Sequence, residues 1–254
     1  MNLRSGMAPT SAPILVAFAA LAISCAAAAR SPWAHPTAAE WRRAMLGLAD
    51  LRASRASAPY VAVVTTTLRD ARSGRVIDGR GAIAVAPGRA VRMILIGGAG
   101  ATLVDAWVSP ARWRVEVPPM NLVRRGRAEA PADLPIAFLR WWFCAPIEGE
   151  LFAAATAGDG TMWLLKDRTA ILEVRLASCG SGRLLTVTRR DGRQAERVEE
   201  CHFGAGPGGP NPNDWVRYED QRSGLRVELT IESRRDAPLD GEAFRDPDAS
   251  LGGT

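Results

Sequence analysis

The chain is short of the residue types on which most protein chemistry depends. Of its 254 residues only two are histidines, His35 and His202, and the only lysine is Lys166. Two histidines are thin material for a metal site. Cys201 beside His202 does not complete one, because neighbours along a strand point to opposite faces. No Gly-x-Ser-x-Gly elbow is present, so serine hydrolysis lacks its mechanical signature. The run Gly97-Gly98-Ala99-Gly100 fits neither Gly-x-Gly-x-x-Gly nor a P-loop. It joins two predicted strands, lacks the helix N-terminus an anion cradle needs, and reads as a hairpin turn. The basic pairs Arg42-Arg43, Arg124-Arg125, Arg189-Arg190 and Arg234-Arg235 are scattered rather than clustered among aromatics, which speaks against nucleic acid. Solvated faces and turns account for them; weak attraction to anionic lipid headgroups is the functional alternative. The carboxylate pairs Glu148/Glu150 and Glu199/Glu200 fall at turns or strand ends. A glycan hydrolase would need two carboxylates poised across a cleft. The chain therefore nominates no catalytic residue, no metal ligand and no cofactor, and an enzyme is not expected.

What is present begins with a leader. Arg4 precedes the apolar run Ala12 to Ile23, which is too short to span a bilayer and has the layout of a secretory signal. Ser24-Cys25 after an aliphatic stretch resembles the lipobox of bacterial lipoproteins, in which Cys25 would be acylated and become the mature N-terminus. Cleavage within Ala26–Ala29, giving a soluble secreted protein, is the other reading. Either way the formal charge of +5 falls to +4 when Arg4 leaves with residues 1–24. Residue 26 is alanine rather than aspartate, which under the bacterial sorting rule favours the outer membrane.

Residues 25–36 read as anchor and tether. Thr37 and Glu40 form a capping box, opening a helix over about 38–53 with Trp41, Met45, Leu48 and Leu51 on one face. From Pro59 the apolar period changes to two. Strands are expected at 60–68, 76–86, 90–96, 101–108 and 112–117. A polar break at 121–133 and a short helix at Leu134–Phe143 follow, with Pro135 tolerated in the first turn. Strands then resume at 161–166, 169–177, 184–189, 194–202, 214–219 and 225–232, with a tail over 234–254. Short connections favour one antiparallel sheet of about eleven strands over an α/β fold, and a sheet that wide must curl. The fold class expected is mostly β (α+β): one curved antiparallel sheet forming a half-open barrel, with helices covering its concave face.

In an oxidising compartment Cys179 and Cys201, flanking a predicted hairpin, form the expected disulfide, leaving Cys144 as a buried free thiol. Trp107, Trp113, Trp141, Trp142, Trp163 and Trp215, with Met93, Met120 and Met162, are enough to line an apolar pocket. An ordinary core would use the same residues.

This order of elements resembles the LolA/LolB-like outer-membrane lipoprotein-sorting family. The residues that carry the resemblance are Gly79 to Met93 (GRGAIAVAPGRAVRM) and Leu134 to Trp142 (LPIAFLRWW), within an element order covering 37–233. The resemblance implies an incomplete, strongly curved β-barrel with helices as a lid. It implies a concave apolar face that binds lipid or lipoprotein acyl chains without covalent chemistry. Met93, Leu95, Trp113 and Val115, with Leu139 and Trp142 on the lid helix, are the expected cavity residues. The implied setting is the outer membrane facing the periplasm, lipid-anchored at Cys25, with a role in lipoprotein sorting or outer-membrane biogenesis. The partners would be a lipid or lipoprotein acyl chain, the inner leaflet of the outer membrane through the anchor, and other envelope proteins, with no nucleic acid. The alternative is a non-enzymatic envelope structural or interaction module with a filled core.

Overall fold

The computed structural model describes residues 36–127, 136–139, 147–157, 160–168, 170–203, 209–238 and 242–248. The first helix, α1 (Ala38–Ala53), starts where its capping box dictates. The Thr37 hydroxyl accepts from the Glu40 amide at 3.3 Å, and the Thr37 amide donates to the Glu40 carboxylate at 2.7 Å. Its buried face is Ala44, Leu48 and Leu51; Met45, expected on that face, is 53% exposed. Ala44 takes its place on the buried face. The Trp163 indole lies beneath the helix and donates to the Ala44 carbonyl at 2.8 Å.

Among the described residues thirteen strands follow. The first meander is β1 (Tyr60–Asp70), β2 (Val76–Ala86), β3 (Ala90–Ile96), β4 (Thr102–Val108), β5 (Arg112–Val117) and β6 (Leu122–Arg127). The described part of a second helix, α2 (Ile136–Leu139), stands between the meanders. The second meander is β7 (Glu150–Ala157), β8 (Gly160–Asp167), β9 (Ala170–Cys179), β10 (Gly182–Asp191), β11 (Gln194–His202), β12 (Trp215–Asp220) and β13 (Leu225–Asp236). All pairings are antiparallel within one sheet, ordered β6-β5-β4-β3-β2-β1-β13-β12-β11-β10-β9-β8-β7. The first strand pairs with the last, from Tyr60 opposite Asp236 to Asp70 opposite Leu225. The two edges are therefore the mid-chain strands β6 and β7.

The count exceeds the expected eleven by β6 and β7. Strand β6 (LVRRGR) falls inside the expected polar break. It is arginine-rich because an edge strand needs little apolar surface, and charge guards its open side. Strand β7 (ELFAAATA) is alanine-rich and bulged between Leu151 and Ala153, so period two is blurred. Of the expected helix at Leu134–Phe143, the described part is the single turn of α2; Trp142 and Cys144 lie outside the described residues. The expected tail from 234 begins inside β13. Beyond it Glu242–Phe244 forms a 3-10 turn against β2 and β3.

One sheet face carries nearly all the apolar alternation. Cross-strand partners such as Val187 and Val198 share it, so the core is one surface divided into two clusters. The larger gathers β1–β5 and β11–β13 around Ile136, Phe138 and Leu139 of α2. The smaller gathers β7–β10 under α1. With both helices on that side, the sheet is a half-open barrel and the covered face is its concave one. Trp113 closes the β6 end: it stands opposite Gly126, where a Cβ would come within 2.5 Å of the indole.

Candidate functional site

Of the six expected cavity residues, Met93, Leu95, Trp113 and Val115 lie on strands β3 and β5, Leu139 lies on α2, and Trp142 lies outside the described residues. Met93, Leu95, Val115 and Leu139 are fully buried, Trp113 is nearly so, and all five belong to the larger concave-face cluster. Alternation on β3 and β5 aims Met93, Leu95, Trp113 and Val115 inward. Leu139 joins them from α2. In this state the described part of the face is filled by protein. Phe138 occupies its middle, with its ring centroid 5.3 Å from that of Tyr218. The Thr66 hydroxyl, on a residue 4% exposed, has no hydrogen-bond partner among the described residues.

Among the described residues the tryptophans do not converge on one pocket; Trp141 and Trp142 lie outside them. Trp113 is in the larger cluster and Trp163 in the smaller, beneath α1. Trp107 is buried on the outer face, in register between Arg92 and Arg114. Trp215 carries the Arg217 guanidinium 4.6 Å above its ring. Met120 is exposed. Tryptophan abundance in the sequence cannot distinguish these fates, because indole area is useful on either side of a sheet.

A polar constellation at the end of α1 was not legible in the sequence. Glu200 points into the concave side of β11 and is 2% exposed. Its carboxylate accepts from Arg55 Nη1 at 2.6 Å and meets His202 Nε2 at 2.7 Å. His202 Nδ1 lies 2.7 Å from the fully buried Asp214, which also accepts from the amides of Phe203 and Asn211. Burial alone would depress the His202 imidazole, but hydrogen bonds and charge from Glu200 and Asp214 overcome it and raise the group above its usual range. For Glu200 burial pushes upward, and Arg55 with His202 outweighs it and holds the carboxylate below its usual value. Both ring nitrogens are engaged by carboxylates, so His202 has no free nitrogen with which to act as a base. The network clamps the end of α1 to β11 and to the start of β12. Sequence separation hides it: Arg55 and Glu200 are brought together only by the sheet.

Cys179 at the end of β9 is joined to Cys201 in β11, with Cα atoms 6.4 Å apart and strand β10 between them. On the outer face, Val63, Thr65, Ala82, Ile94, Gly97 and Thr230 help line an open groove of about 1000 Å³ across β13-β1-β2-β3. Its polar groups are engaged with one another: Thr67 donates to Asp78 at 2.6 Å, and Arg80 pairs with Glu232 at 2.7 Å. The Gly97–Gly100 segment is the β3–β4 turn, closed by the Gly100 amide donating to the Gly97 carbonyl at 2.9 Å. Among the described residues no group of histidine, cysteine or carboxylate side chains could hold a metal, and no helix is long and apolar enough to cross a membrane.

No family model matches the chain, and no curated protein matches it. Several solved structures do. One is a LolA superfamily protein of Nitrosomonas europaea, at 11% identity and a TM-score of 0.46, covering 77% of this chain and 95% of that one. A DUF1329 family protein of Desulfovibrio piger matches at 11% identity and a TM-score of 0.44, covering 82% and 98%. A domain described as an outer-membrane lipoprotein-sorting protein, from Vibrio parahaemolyticus, matches at 11% identity and a TM-score of 0.36, covering 80% and 99%.

Proposed function

We propose that the chain is an exported, lipid-anchored bacterial envelope protein that binds an acyl chain of a lipid or lipoprotein on its concave face and performs no covalent chemistry. Residues 1–24 act as the signal, Cys25 as the acylated anchor, and 25–36 as the tether to a domain over 37–233. The protein faces the periplasm from the inner leaflet of the outer membrane and serves lipoprotein sorting or outer-membrane biogenesis. The observation that carries this reading is the concave face itself. It is apolar across both clusters, yet over the larger one the described cover is a single helical turn whose Ile136, Phe138 and Leu139 are fully buried. That cover is held by burial, at roughly 25 cal/mol per Å² of apolar area, and an acyl chain offers the sheet the same kind of surface. Displacing Ile136, Phe138 and Leu139 would expose Met93, Leu95, Trp113 and Val115. The idle state of the polar constellation agrees with a non-enzymatic role, since Glu200, His202 and Asp214 are consumed by one another.

The complete burial of Met93, Leu95 and Val115 also favours a second reading, a structural or interaction module whose filled core never opens. One experiment separates the two. The chain is expressed with its own leader in a diderm bacterium, and its mass is measured intact and under native conditions. A mature N-terminus at Cys25 carrying acyl groups, with a further lipid bound non-covalently, supports the carrier. An unmodified N-terminus among Ala26–Ala29 refutes the anchor. Absence of bound lipid, also after incubation with a fatty acid, refutes the carrier and leaves the module.

A further inference from the structure

The outer face at the β5–β6 edge holds an arrangement that the concave-face reading does not use. The register sets Arg112 opposite Arg127 and Arg114 opposite Arg125, so four guanidiniums stand as two cross-strand pairs on one face. Like charges directly opposite one another destabilise a sheet, and such a placement calls for an anion. The anion present is the chain's own C-terminal segment. Asp246 meets Arg112 Nε at 2.9 Å, and Asp248 bridges the strands, 2.8 Å from Arg125 Nε and 3.5 Å from Arg114 Nε. Glu116 takes the other end of Arg114 at 2.6 Å.

The fit of that segment is incomplete. Arg114 Nε, one oxygen of Asp246 and one of Asp248 are buried without a well-aligned hydrogen bond, although each sits near an opposite charge. Arg112 and Arg125 remain more than half exposed. Among the described residues, four guanidiniums face three carboxylates with the segment seated, and Glu116 alone with it lifted. Planar carboxylates satisfy such a square of forks poorly. A phosphate group, with tetrahedral oxygens, accepts from arginines on both strands at once.

We infer that Arg112, Arg114, Arg125 and Arg127 form a binding site for a phosphate group, with Asp246 and Asp248 as its resident stand-ins. The phosphate comes either from a lipid headgroup or from free phosphate, and the site operates by exchange: the ligand takes the arginines and the C-terminal segment leaves. This stands independently of whether the concave face carries lipid.

The test uses the whole folded chain and three variants. Asp246→Asn/Asp248→Asn weakens the stand-in while keeping its shape. The same pair combined with Arg112→Gln/Arg125→Gln removes the site. Asp50→Asn/Asp191→Asn adds equal positive charge elsewhere. Binding is measured to vesicles of phosphatidylcholine and phosphatidylglycerol in equal parts, to phosphatidylcholine vesicles, and to inorganic phosphate by calorimetry. The first variant is expected to bind one phosphate source about tenfold more tightly than the natural chain, each arginine released at an anionic surface being worth about fivefold. The gain should vanish in the combined variant. Gain on the mixed vesicles alone assigns the site to a headgroup; gain with inorganic phosphate assigns it to free phosphate. No gain with either, an equal gain in Asp50→Asn/Asp191→Asn, or a gain that survives Arg112→Gln/Arg125→Gln overturns the inference. Circular dichroism of each variant verifies that the sheet is intact.

Discussion

Replacing Glu200 with glutamine should change both the stability of the fold and its dependence on pH. In the natural chain two carboxylates, Glu200 and Asp214, face two cations, Arg55 and the His202 imidazolium, in a site where Glu200 and Asp214 are almost wholly out of water. Glu200→Gln keeps the shape and removes one negative charge between two positive ones. Breaking a buried pair on one side costs about 3–5 kcal/mol, because the partner charges stay desolvated. The exposure of Arg55 and His202, 21% and 23% of their side chains, places the expected loss near the lower end. The pH profile is the sharper readout. His202 is raised in the folded state, so its contribution is fully present below the ordinary histidine value of 6.5 and is lost as pH rises through the folded value. Glu200 is lowered, so its contribution is present above the ordinary 4.5 and is lost as pH falls through the folded value. The natural chain should therefore lose stability on both sides of a plateau spanning those two ordinary values. Each pH unit of displacement corresponds to about 1.4 kcal/mol. Urea melts followed by tryptophan fluorescence from mildly acidic to mildly alkaline pH would measure this. In Glu200→Gln the alkaline decline should be blunted, because His202 has lost one of the two anions that raise it. An alkaline limb of unchanged slope and position in the variant would refute the reasoning.

Three further outcomes follow from packing. Trp163→Phe removes the indole N–H from the Ala44 carbonyl and part of the contact beneath α1, and should cost about 1–3 kcal/mol in a urea melt. Gly126→Ala drives a methyl group into the Trp113 ring and should cost about 1–3 kcal/mol, with Trp113→Leu/Gly126→Ala recovering part of it. Reduction of Cys179–Cys201, or Cys201→Ser, should lower stability by about 3 kcal/mol, seen as a drop in Tm on adding reductant that the Cys179→Ser/Cys201→Ser variant does not show.

The sequence was most legible where local chemistry decides structure. Thr37 and Glu40 set the start of α1 because their capping exchange is complete within four residues. Strands with clean alternation, such as Leu225-Val227-Leu229-Ile231, announced both their type and their buried face. Strands β6 and β7 were not legible, since each has an open edge and neither needs the apolar alternation by which a strand is recognised. The site divides in the same way. Inward placement of Met93, Leu95, Trp113 and Val115 follows from parity along β3 and β5. The Arg55–Glu200–His202–Asp214 network and the arginine square with Asp246 and Asp248 do not. They join positions that lie far apart along the chain, and their only signal in one dimension is isolated charge.

The pairing of β1 with β13 also dictates when the molecule can be finished. A chain made or delivered from its N-terminus can zip β1 to β6 early, since each hairpin needs only its neighbour. The free edge of β1, which runs through Val61, Val63 and Val64 into a run of threonines, then waits for a strand that arrives last. Closing so long a loop adds little to the equilibrium cost, which grows only with the logarithm of length, but pairing over such separation is slow. Through that interval a β-rich edge stands open at what becomes the centre of the sheet. The period of greatest aggregation risk thus falls just before completion, and a chain shortened within β13 never leaves it.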